Sequence, residues 1–116
     1  MARRACNGGG KVVDASTTAA DTNGYGIVTI LMVASAASAT LAVTVGDTST
    51  PDTTPETTLI DPGTGEAVDL SSLSLAAKGD TKILSYIGDK RYIKATGTNA
   101  AVWVYLEEPR MTTPFE

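Results

Sequence analysis

Acid–base, nucleophilic and metal chemistry draw mainly on histidine, cysteine and paired carboxylates, and this chain is poor in them. Histidine is absent and Cys6 is the only cysteine. A Cys6 nucleophile would have no imidazole base, and zinc sites built from Cys and His are excluded by count. A lone cysteine forms no intramolecular disulfide, which fits synthesis in a reducing cytoplasm. Gly8-Gly9-Gly10-Lys11 lacks the spacing and the preceding strand of a phosphate-binding loop. Asp61-Pro62-Gly63-Thr64-Gly65-Glu66 offers oxygen ligands, but it does not match an EF-hand loop, and such turns form without metal. Glu107 and Glu108 are neighbours, so on a strand they point to opposite faces and cannot act as a catalytic pair. Lys90 and Arg91 gather too few cations to track a phosphate backbone, and the net charge of −4 also disfavours nucleic acid. The expectation is a protein that is not an enzyme and has no metal or cofactor.

The remaining residues of interest are suited to binding. Trp103 and Tyr105 alternate with Val102, Val104 and Leu106, so on a strand the two aromatics share the face opposite the aliphatic one. Either this is a central strand buried between sheet and loops, or the aromatic face is a subunit interface, where Trp, Tyr and Arg are favoured. Arg91 and Tyr92 fit either reading. The candidate interface residues are therefore Arg91, Tyr92, Trp103 and Tyr105.

The elements that position these residues read as strands. At 116 residues the chain is one domain. The apolar fraction of 42% leans on Ala and Val, with only 5% aromatic residues. That makes a thin core, which a partner subunit can complete. Strands are expected at 27–33, 39–45, 57–60, 67–70 and 101–107, with turns at 35–38, at Asp61–Gly65 and at Gly97–Asn99. Segment 46–56 is a Pro-interrupted loop. Segment 71–79 reads either as one or two helical turns or as a strand with Leu73 and Leu75 inward. Strands 81–87 and 90–96 flank Gly88-Asp89, which has the composition of a type II′ hairpin turn; Tyr86 would then face Arg91, and Leu84 would face Ile93. Residues 1–24 read as a flexible arm in which only Lys11–Asp14 could add a short strand. Residues 25–110 form the domain and 111–116 an extended tail. The fold class is all-β: a single antiparallel β-sandwich or a jelly-roll-like barrel.

No basic residue lies between Lys11 and Lys78, while that span holds eight carboxylates from Asp14 to Asp69. This is either an ordinary solvated surface or an acidic face that meets a basic face on a neighbouring copy or partner. The stretch from Thr22 to Gly46 is uncharged and long enough to span a bilayer. Ala37-Ser38-Ala39 also resembles a signal-peptidase site. Against both, Asp14 and Asp21 interrupt the leading segment, hydroxyl residues dilute the run, and its two halves are β-like. Two sheet strands and no membrane association are expected.

The segment Tyr86-Ile87-Gly88-Asp89-Lys90-Arg91-Tyr92-Ile93-Lys94, followed by a Gly/Thr turn, an apolar strand and Glu108-Pro109-Arg110, resembles small virion-associated proteins of tailed bacteriophages and prophages. These are encoded near the major capsid gene. Asp21-Thr22-Asn23-Gly24-Tyr25 before the first apolar strand is similar to the family's upstream pattern, whereas residues 46–80 depart from it. The resemblance implies a β-rich structural virion protein, a head decoration or cement subunit. It further implies a homo-oligomer, with a trimer favoured, bound to the major capsid protein. Another virion part (head-completion, tail or fibre-associated) and an exported β-sandwich adhesin or binding module are the alternatives.

Overall fold

A computed structural model describes residues 10–23 and 25–107. Alternation of apolar and polar side chains sets the architecture. In β3 (Ile27–Ala34), Val28, Ile30, Met32 and Ala34 point to one side and are buried. Val102, Val104 and Leu106 do the same in β8 (Ala100–Glu107), and Leu41, Val43 and Val45 in β4 (Thr40–Gly46). A period of two with one apolar face requires a second layer to cover that face.

Among the described residues eight strands supply two layers. The larger sheet has the order β1-β8-β3-β6-β5, where β1 is Gly10–Val13, β5 is Leu59–Ile60 and β6 is Thr81–Tyr86. The smaller sheet has the order β2-β7-β4, with β2 at Ala20–Asp21 and β7 at Tyr92–Thr98. All pairings are antiparallel. Both sheets are open, so the fold is a β-sandwich and not a closed barrel. Between them Ile30, Met32, Leu59, Leu84 and Val104 from the larger sheet join Val43 and Ile93 from the smaller one in a single core.

Three expectations are corrected. First, 81–87 and 90–96 do not form a hairpin. Strand β6 pairs with β3 and β5, while β7 pairs with β4 and β2 in the other sheet. Leu84 and Ile93 are both fully buried, but they approach the core from opposite layers. Gly88 does not have the positive φ that a II′ turn needs at its first central position. Its lack of a side chain serves another purpose, because the ring of Tyr86 lies where a Cβ would stand. Second, the arm expected over 1–24 belongs to the sandwich from residue 10 onward. Strand β1 pairs with β8 and β2 with β7, because both offer unpaired sheet edges with backbone groups to satisfy. Residues 1–9 and the tail 111–116 lie outside the described residues. Third, 71–79 is neither helix nor strand. It makes turns, one bridge from Leu75 to Ala39, and a bend at Gly79 with φ of 92°.

Candidate interaction face

The four candidate residues separate into two places. Trp103 and Tyr105 lie on the outside of the larger sheet, whereas Arg91 and Tyr92 lie at one end of the smaller sheet. They do not form one site.

At the smaller sheet, Arg91 is tied down. Its Nε donates to Asp21 Oδ1 at 2.9 Å and its Nη2 donates to Oδ2 at 2.8 Å, the fork-on-fork geometry that makes Arg–carboxylate pairs strong. Arg91 holds the Asp21 carboxyl at about 2, helped by the backbone N–H of Asn23, and Asp21 in turn raises the guanidinium pKa. The guanidinium also sits 5.2 Å from the Tyr92 ring centroid. Beside it, buried Thr22 donates its N–H and its Oγ1 to the Arg91 carbonyl at 2.7 and 2.6 Å. The Lys90 N–H donates to Tyr86 Oη at 3.1 Å. The Asp21-Thr22 motif and the Tyr86–Tyr92 motif are thus two halves of a clasp that fastens β2 onto β7.

The larger sheet presents a different surface. The outward positions of β8, β3 and β6 are Ala101, Trp103, Tyr105 and Glu107, then Ile27, Thr29, Leu31 and Val33, then Thr81, Ile83 and Ser85. Glu107 is the one charge among them. Register places Trp103, Leu31 and Ile83 side by side in a row across the three strands. The next row runs Val12, Tyr105, Thr29, Ser85 and Ile60. Trp103 is 41% exposed, Ile83 49% and Val12 55%. Trp103 and Tyr105 are exposed, which overturns the reading of them as buried between sheet and loops.

The outside of the smaller sheet serves as an internal control. Its outward residues are Tyr92, Lys94, Thr96 and Thr98 on β7, Thr40, Ala42 and Thr44 on β4, and Asp21 on β2. That is the hydroxyl- and charge-bearing face expected of a sheet turned to water. The larger sheet also carries large apolar side chains outward, interspersed with Thr29, Thr81, Ser85 and Glu107, and an exposed apolar patch of this kind is a candidate docking surface. Sequence alternation identified the residues of β8 on this face; it missed Leu31 and Ile83, whose membership depends on strand order.

Among the described residues, no group of three or more Cys, Asp or Glu side chains is placed to hold a metal, and no helix is long and apolar enough to cross a membrane. The Asp61–Glu66 turn is organised by its own backbone: Asp61 Oδ1 accepts from Gly63 N–H at 2.8 Å and Oδ2 accepts from Lys82 Nζ at 2.8 Å. Among the described residues the fold is a β-sandwich of two open antiparallel sheets whose larger sheet carries exposed Trp103, Tyr105, Ile83 and Ile27 outward. Compared with family models, with curated proteins and with solved structures, the chain matches none.

Proposed function

We propose that the chain is a structural virion protein, a decoration or cement subunit that stabilises a phage head by bridging capsomers of the major capsid protein. The observation that carries an assembly role is the outer face of the larger sheet, with Glu107 as its one charge across β8, β3 and β6 and with Trp103, Leu31 and Ile83 in one row. The step from assembly subunit to virion rests on the resemblance carried by the Tyr86–Lys94 segment. A subunit of this kind needs no reaction chemistry. Its work is to bind the expanded shell and not its precursor, which stabilises the expanded state by mass action. Repetition over the shell multiplies individually weak contacts.

The test is the composition of purified particles. The proposal expects this chain at a copy number comparable to that of the major capsid protein, with density on the outer shell in an electron-microscopy map. Absence from particles, or presence only in the few copies of a portal or tail component, overturns it.

A further inference from the structure

We infer that the outer face of the larger sheet is covered by a second copy of this chain, packed face to face about a two-fold axis that runs along β3. The inference deepens the assembly reading of this face and does not depend on the virion assignment.

Three observations carry it. The first is charge. Glu107, at the end of β8, is the only charged residue among the outward positions of β8, β3 and β6, so the face has no handle for a charged partner and nothing that repels its own copy. The second is arrangement. Leu31 lies on the central strand, with Trp103 on one flank and Ile83 on the other, all in one register row. A two-fold axis along β3 exchanges the flanks. Leu31 then meets Leu31, and each Trp103 lies over Ile83 of the second copy. In the neighbouring row Tyr105 meets Ser85, and Val12 meets Ile60. In these two rows the aromatic side chains on β8 thus face smaller ones on β6, which is the complementarity an isologous interface requires. Twisted sheets packed this way cross at about 30° with about 10 Å between them.

The third is area. Strands spaced about 4.8 Å apart and rising about 3.3 Å per residue give the face a plan of about 20 by 25 Å. Because β1 and β5 are short, two copies cover at most about 1,000 Å² before side-chain relief, the lower bound of a specific interface. Trp103 and Tyr105, on the strand beside the axis, are the residue types that dominate such contacts.

Sedimentation equilibrium of the full chain tests this. A particle of twice 11.9 kDa is expected, with a dissociation constant in the micromolar range or tighter. Trp103→Glu should weaken the pair by about thirty-fold or more, the effect of losing a central anchor. Ile83→Lys should also weaken it. Combining the two should recover part of the loss, because the new charges face each other across the interface. Lys94→Glu, on the opposite outer face, should leave the pair intact. Circular dichroism confirms that each variant is folded. A monomer at about 100 μM, or a trimer, overturns the inference. So does a pair insensitive to both substitutions, or a double variant weaker than either single one, which would place like residues over like. Because these measurements use the isolated chain, they fail independently of the particle-composition test.

Discussion

Replacing Gly88 by alanine puts a methyl group into the ring of Tyr86. The new Cβ would stand 2.6 Å from Cζ and 2.8 Å from Cε1, with the hydroxyl closer still. Reaching the 3.4 Å at which ordinary contact begins requires the Tyr86 side chain to retreat by about 1 Å at its hydroxyl. Tyr86 is 6% exposed and its hydroxyl accepts the Lys90 N–H at 3.1 Å, so it has little room and something to lose. Overpacking of this kind costs about 1–3 kcal/mol, and losing the hydrogen bond adds about 1 kcal/mol. The backbone at Gly88 is outside the left-handed region, so alanine is not strained there. It returns about 0.4–1 kcal/mol by stiffening the unfolded chain. The net loss is about 2 kcal/mol, or a fall in Tm of about 6–10 °C for a domain of this size. Tyr86→Phe alone should cost about 1 kcal/mol. In that background Gly88→Ala should cost less, since the nearest atom and the hydrogen bond are already gone; the coupling should be about 1 kcal/mol. Thermal and urea unfolding of the four proteins give the cycle. Additive effects, or an unchanged Tm for Gly88→Ala, would refute the reasoning.

Ile30 is fully buried at the centre of β3, so Ile30→Ala should destabilise by about 2–5 kcal/mol in urea titrations, a large share of the about 5–15 kcal/mol typical of a domain. Asp21 is held at about 2 against an ordinary 3.8. Its contribution is therefore present above pH 3.8 and is lost as pH falls toward 2. Asp61 and Asp69, also lowered by their hydrogen bonds, add to the same window. Tm measured from pH 5 to 2 should fall steadily, and Asp21→Asn should flatten that slope. Leu31 points outward from the central strand, and threonine suits a strand as well. Leu31→Thr should leave the stability of the dilute chain within about 1 kcal/mol while abolishing the rise of Tm with concentration expected of an associating protein; a concentration-dependent Tm in the variant would count against the covered face.

Much of the layer structure was legible because it is local. The alternation in Ile27–Ala34, Thr40–Gly46 and Ala100–Glu107 assigns each side chain to one of two faces without reference to the rest of the chain. Partner choice is not local. Gly88-Asp89 has hairpin chemistry, yet β6 and β7 enter different sheets, because burying Leu84 and Ile93 from opposite layers makes a core that a single hairpin cannot. The same limit hid the clasp. Asp21 and Arg91 are separated by 70 positions, and only the pairing of β2 with β7 brings them together. Alternation also placed Trp103 and Tyr105 on one face but could not say whether another layer lay over it.

That uncovered layer is best understood by comparing the two outer faces of one molecule. Both sheets belong to the same chain in the same solvent, and both need inward aliphatic residues for the shared core. Their outward residues are under no such demand. On the smaller sheet they are four threonines with Tyr92, Ala42, Lys94 and Asp21; on the larger, Trp103, Tyr105, Leu31, Val33, Ile27 and Ile83 stand among Ala101, Thr29, Thr81, Ser85 and Glu107. Core stability cannot account for the difference, since an outward side chain contributes little to the interior. Strand propensity cannot either, because threonine serves it as well as leucine does. What remains is a difference in surroundings, and this is what the inferred pairing supplies: water over the smaller sheet and a second copy over the larger. On that inference, the few large side chains of this composition divide between a core that holds the sandwich closed and a face that would meet another subunit.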